Sequence, residues 1–155
     1  MARVTVWVSM MVMAATMFGA ALAADRVTSR NGVPLVSGGV GLDSQQRLKA
    51  LEPDFNLKLV FTLTEGNYLS DVAVSIRDTQ GKEVVVHVAE GPFMLVKLPA
   101  GKYSVHAVYG GKPRMQTVVV SGGALPSITI QTVYLRWAAN PASDFALPPE
   151  HLQRN

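Results

Sequence analysis

The sequence predicts an all-β fold, a two-sheet sandwich of seven strands with one short N-terminal helix and flexible ends. Three observations carry that expectation. After Pro53 the apolar residues recur at every second position, the spacing that gathers them on one face of a strand. Turn-forming residues at Asp78-Thr79-Gln80-Gly81, Gly91-Pro92, Gly110-Gly111 and Gly122-Gly123 cut this region into short segments. The chain has no cysteine, so no disulfide can staple it, and each strand has to bury its apolar face against a second sheet.

The N-terminus stands apart from that fold. Arg3 is the only charge before Asp25, Val4 to Phe18 is almost wholly apolar, and Gly19-Ala20-Ala21-Leu22-Ala23-Ala24 follows. The small residues Ala21 and Ala23 suit a signal peptidase, so residues 1–23 are expected to be a signal peptide. Cleavage after Ala24 is the second choice. An uncleaved anchor is the alternative, since about 20 apolar residues span a bilayer. Against it, the small-residue patch stands where an anchor carries leucine and flanking basic residues. The expected protein is periplasmic or secreted, without membrane insertion after signal cleavage. Removing the leader leaves 13 basic and 11 acidic side chains, a net charge of +2, with no run of three Lys or Arg. That balance offers nothing for nucleic acid or for a polybasic membrane patch.

Residues 24–55 are expected to be a lead-in. Asp25 to Gly41 has little apolar periodicity and holds Gly32, Pro34, Gly38, Gly39 and Gly41, the composition of an extended, partly mobile segment. Asp43 with Gln46 has the order of a capping box, Leu48 and Leu51 lie three apart, and Pro53 closes the stretch. A short helix from Ser44 to Glu52 follows. The sandwich occupies residues 56–137. Its first strand places Leu57, Leu59, Phe61 and Leu63 on one face, and its second alternates Val72, Val74 and Ile76 with Ala73, Ser75 and Arg77. Glu83 to Ala89, Phe93 to Leu98, Tyr103 to Tyr109, Met115 to Ser121 and Ser127 to Trp137 complete the set. Residues 138–155, with Pro141, Pro148 and Pro149, are expected to be a surface or disordered tail.

Leu98 to Lys112 concentrates the turn chemistry. Pro99-Ala100-Gly101 suits a tight turn, Tyr103, Val105, Ala107 and Tyr109 share a face, and Gly110-Gly111 suits a hairpin. A leucine, a glycine three residues on and a tyrosine two further resemble the tyrosine corner of immunoglobulin-like sandwiches, where the phenol bridges to nearby backbone. Gly81, Leu98, Pro99, Gly101 and Tyr103 are therefore expected to be scaffold, and Gly101 to be strained by a β-branched replacement if its φ is positive.

From Asn56 to Val120 the chain also resembles the carboxypeptidase regulatory-like family, whose domains are transthyretin-like (prealbumin-like) sandwiches. The pattern is a strand, a D-x-x-G turn matched by Asp78 to Gly81, a strand, and L-P-x-G-x-Y-x-V-x-A matched by Leu98 to Ala107. The stretch from Ser37 to Val72 resembles small exported bacterial proteins that carry this domain. The resemblance implies an Ig-like, transthyretin-like fold; its motifs specify turns and strand faces rather than an activity.

Candidate chemistry is sparse. His87 and His106 lie in different strands, and as cross-strand neighbours facing solvent they could share copper or zinc, with Glu90, Asp71 or Met115 as a third ligand. No His-x-His spacing supports them, so plain surface histidines is the competing reading; no metal site and no cofactor are expected. Glu65, Asp71, Asp78, Glu83 and Glu90 sit at strand ends and turns, where charges serve solvation. No Gly-x-Ser-x-Gly elbow occurs, and no Ser–His–Asp order stands out. The catalytic transthyretin-fold relative, hydroxyisourate hydrolase, ends in Tyr-Arg-Gly-Ser, whereas this chain ends Leu152-Gln153-Arg154-Asn155. An enzyme is not expected. Gly38-Gly39-Val40-Gly41 follows no expected strand and lacks the lysine of a phosphate loop. Of the aromatics, Tyr68 in the Glu65–Ser70 loop is a possible ligand contact, since exposed rings stack sugars or peptides, and Trp137 is expected to cover an open end of the sandwich. The expected function is a non-catalytic interaction module that contacts another envelope protein through the Glu65–Ser70 loop or an edge strand. The alternative is a small-ligand binder, of metal through His87 and His106 or of saccharide through Tyr68.

Overall fold

The computed structural model describes residues 27–122 and 129–139. The expected signal peptide, Gly123 and nearly all of the expected tail lie outside the described residues. Nine strands are present: β1 (Thr28–Arg30), β2 (Val33–Gly38), β3 (Leu57–Leu63), β4 (Val72–Arg77), β5 (Glu83–Ala89), β6 (Phe93–Val96), β7 (Gly101–Tyr109), β8 (Lys112–Val120) and β9 (Gln131–Trp137). They form a five-stranded sheet in the order β1-β2-β6-β3-β9 and a four-stranded sheet in the order β5-β4-β7-β8. The chain is all-β, with one helix, α1 (Leu42–Leu51), among the described residues. That helix is too short to cross a membrane.

Alternation in sequence becomes alternation in burial. Leu57, Leu59, Phe61 and Leu63 of β3 meet Val72, Val74 and Ile76 of β4 and Tyr103, Val105 and Ala107 of β7 in one core between the sheets. The pairing is antiparallel except for β3 with β9, which run parallel in register from Leu57↔Gln131 to Leu63↔Trp137. A parallel neighbour cannot be joined by a hairpin, and the chain passes through β4 to β8 between β3 and β9.

The expected strand count of seven falls short by two, because the lead-in holds a hairpin. β1 and β2 pair around Asn31-Gly32, with φ of 52° and 78°. Both central residues are left-handed, as the tightest hairpin turns require, and Asn-Gly is the dipeptide that tolerates this best. β2 then joins β6, from Leu35↔Val96 to Gly38↔Phe93, and buries Leu35 and Val36. The helix also differs from expectation. It begins at Leu42 behind Gly41, and no side chain caps it. Ser44 is buried and accepts the Gly39 N–H at 2.7 Å, so the anticipated Asp43–Gln46 capping box gives way to a bond that ties the helix to its preceding loop. Leu48 and Leu51 lie together, as their spacing implies, and pack with Val36, Phe55 and Leu95 on the outer face of the five-stranded sheet. Val60 and Thr62 of β3 are absent from the inter-sheet core yet are buried too, Thr62 beside its bridge partner Tyr68.

The corner before β7 is braced twice. The Tyr103 hydroxyl donates to the Pro99 carbonyl at 2.9 Å. Buried Asn56 donates to the Leu98 carbonyl at 2.7 Å and accepts the Leu98 N–H at 2.9 Å. Gly101 does not have the positive φ that the strain expectation supposed; it opens β7 opposite Val120, and an added Cβ would meet the Tyr103 ring at an ordinary 3.5 Å. Gly81 does occupy the left-handed region, at φ 79°. It ends a turn in which Asp78 Oδ1 accepts the N–H groups of Gln80 and Lys82.

Tyr103→Phe is expected to cost about 1 kcal/mol in a urea titration, the net worth of one hydrogen bond. Burial, with the Asp78 carboxylate second, pushes the Tyr103 phenol above its ordinary value of 10.0. A raised folded pKa gives stability that is intact below the unfolded value and is lost as pH rises through the folded one. The parent should therefore weaken above about pH 10, and Tyr103→Phe should lack this part of the loss; equal alkaline loss in both would refute the assignment.

Candidate interaction surface

The register separates the two histidines. His87 pairs with Val74 and His106 with Ser75, on opposite sides of the central strand β4. Directly paired residues project from the same face, and successive residues from opposite faces. Val74 points into the core, so His87 projects inward and His106 outward. The condition set for a shared ion, cross-strand neighbours that both face solvent, is not met, because β4 lies between the two strands and the side chains leave opposite faces. His87 Nε2 lies 2.9 Å from the hydroxyl of Ser37, across the seam between the sheets, and that hydroxyl also accepts the Glu90 N–H at 3.1 Å. Ser37 went unnoticed in the sequence because nothing local marks it. Ser37 is buried and His87 half-buried, and the pair ties β2 to β5. Among the described residues, no three His, Cys, Asp or Glu side chains gather where they could hold a metal ion.

The carboxylates stay at the periphery. Glu83 accepts from Arg77 Nη2 at 2.7 Å and from the Ser75 hydroxyl at 3.0 Å. The Arg77 bond, with Ser75 second, holds the Glu83 carboxyl below its ordinary 4.5. A lowered folded pKa gives stability that is present above the unfolded value and is lost as pH falls through the folded one. Glu83→Gln is therefore expected to flatten the stability–pH curve below pH 4.5, a small effect because the pair is exposed. Thermal melts across pH 2.5–6 check this (roughly the carboxylate range), and superimposable curves would exclude it.

One group of exposed apolar side chains lies at the start of α1 and in the Glu65–Ser70 loop. Val40 and Leu42 are each 68% exposed and Tyr68 is 59% exposed. Gly38-Gly39-Val40-Gly41 does follow a strand, β2, and precedes α1. It still lacks a lysine, and the Gly39 N–H is spent on Ser44. A phosphate loop is not what this arrangement builds. Instead, Gly39, Val40, Gly41, Gln45, Tyr68, Leu69, Ser70 and Pro92 enclose a cleft of about 280 Å³. Gly39 is required there: a Cβ would fall 2.2 Å from the Phe93 ring. Phe93 in turn receives Tyr68 edge-on, with centroids 5.2 Å apart, and Lys58 over its face at 5.1 Å. The Leu69 N–H donates to the Phe61 carbonyl, the Leu63 N–H donates to the Asn67 carbonyl, and the Leu63 carbonyl accepts the Gly66 N–H, so the loop that carries Tyr68 is pinned to β3. Tyr68 thus stands on a supported base with one ring face free of the core.

The other aromatics divide. Tyr134 is exposed on β9, with Arg136 5.4 Å from its ring centroid. Trp137 is completely buried, and its indole N–H donates to the Lys112 carbonyl at 2.8 Å. The chain matches no protein-family model and no curated protein sequence.

Proposed function

We propose that this chain is an exported, non-catalytic β-sandwich of the Ig-like, transthyretin-like kind found in carboxypeptidase regulatory-like domains. It serves as an interaction module that binds another protein of the cell envelope through the tip formed by Val40, Leu42 and Tyr68. The observation that carries the reading is three large apolar side chains exposed at one end, beside a cleft whose walls are fixed by Phe93 and the β3 bonds. Contiguous exposed apolar surface marks contact sites, and an aromatic on a rigid base orders few rotamers on binding. The secretory leader expected at residues 1–23 supplies the compartment.

A photoreactive residue in place of Tyr68 tests this in exporting cells. The expected result is one discrete crosslinked protein and a processed chain beginning at Ala24 or Asp25. The same probe at Lys49, exposed on α1, should give no such band. Equal labelling from both sites, or none from Tyr68 in processed protein, rejects the proposal. Binding to envelope polysaccharide that is lost in Tyr68→Ala, without a protein crosslink, would establish the saccharide alternative instead.

A further inference from the structure

The two outer faces of the sandwich are treated differently. α1 covers the five-stranded sheet, while no described element covers the outer face of the four-stranded one. Across that face Val88, Ala73, Val108 and Pro113 form one row, and Val86, Ser75, His106 and Met115 the next. Val86, Val88, Val108 and Met115 are all exposed. The small residues lie in the middle. Ala73 and Ser75 of β4 make a floor, with Val86 and Val88 of β5 on one side and His106 and Val108 of β7 on the other. The result is an open trough of about 520 Å³ that ends at Arg77. Its walls stand two strand spacings apart, roughly 10 Å, a width suited to one extended chain.

We propose that the chain's own segment Asp144 to Pro149 occupies this trough, with Phe145 and Leu147 on the Ala73–Ser75 floor. The inference stands independently of the tip described above. Its first support is where the chain leaves the sandwich. The Trp137 indole bonds to the Lys112 carbonyl and Arg114 Nε to the Arg136 carbonyl, each at 2.8 Å, so β9 ends beside the start of β8. Pro113, at that start, is the outermost member of the first apolar row. The second support is reach. Ala139 still packs on the core, and the five residues before Phe145 allow roughly 20 Å of extended chain. β8 and β4 are only about 10 Å apart.

The third support is sequence. Phe145 and Leu147 are two apart, hence on one side of an extended segment, and Pro148 favours extended backbone at Leu147. A chain entering by the Ala73 row and running along β4 brings Glu150 towards Arg77, which is complementary in charge. Area disfavours a second copy as the occupant. Four strands of about six residues present roughly 400 Å², about half of what each partner of a stable interface buries.

The absence of cysteine makes the test clean. In the full chain, Val108→Cys with Phe145→Cys is compared with Lys49→Cys and Phe145→Cys, the latter aimed at the helix-covered face. Under mild oxidant at micromolar concentration, the first pair should form an intramolecular disulfide about tenfold faster than the second, beyond what tethering alone provides. Adding Ala73→Arg, which fills the floor, should remove that advantage. Equal rates for the two pairs, or no disulfide in either, overturn the proposal. Disulfides from the first pair that link two molecules overturn it in favour of a second copy. Val108 is exposed, so its replacement by cysteine should leave the sandwich folded; a far-ultraviolet dichroism spectrum like the parent's verifies the fold of each double variant.

Discussion

Trp137→Ala is expected to lower the free energy of unfolding by about 3–5 kcal/mol, the range for truncating a large aromatic in a core. Trp137 has no exposed surface, and it stands where the two sheets meet. It ends β9 of the five-stranded sheet, yet its indole bonds to Lys112 of the four-stranded one and its ring meets Tyr109 edge-on with centroids 6.0 Å apart. Its own carbonyl accepts both the N–H and the hydroxyl of Thr64, so β3 is fastened to the same point. Alanine leaves a cavity bounded by strands from both sheets, which cannot collapse without moving one against the other. Trp137→Phe should cost less, about 1–3 kcal/mol, since it retains much of the apolar contact and loses the bond to Lys112. Urea titration measures both through a lower midpoint at unchanged slope. A loss for alanine below about 1 kcal/mol would mean that Trp137 does not close the sandwich.

Asn56→Ala is expected to cost about 2–4 kcal/mol, although it removes little apolar area. The side chain satisfies both backbone groups of Leu98, and all of these atoms are buried. Alanine leaves an N–H and a carbonyl without partners, each carrying a desolvation penalty of about 1–3 kcal/mol. Asn56→Asp separates the two bonds, because a carboxylate accepts from the Leu98 N–H and cannot donate to its carbonyl. It should be at least as destabilising as alanine near neutral pH. The same corner receives the Tyr103 hydroxyl one residue later, at Pro99. Asn56→Ala and Tyr103→Phe should therefore combine non-additively in a double-mutant cycle, and strict additivity would show that the two braces act separately.

Where strands begin and end was legible because its causes are local. Leu57, Leu59, Phe61 and Leu63 declare a face by spacing alone, and Asp78 to Gly81 declares a turn by residue type. Asn31-Gly32 carried the same kind of signal for the β1–β2 hairpin, masked by the glycines and proline around it. Asn56 offered no such mark, since its partners are 42 residues away.

The sequence by itself determined an all-β chain, the positions of most turns and the residues that line the inter-sheet core, because period and turn chemistry act over a few residues. Only the tertiary structure decided which strands are neighbours, and with that everything about the surface. The register on β4 sends His87 inward and His106 outward. The folding of α1 onto one sheet covers Val36 and Leu95 and leaves Val86, Val88, Val108 and Met115 bare on the other. The apolar alternation marks which residues of a strand turn inward, but which residues of neighbouring strands stand side by side is set only by the register in which the strands pair.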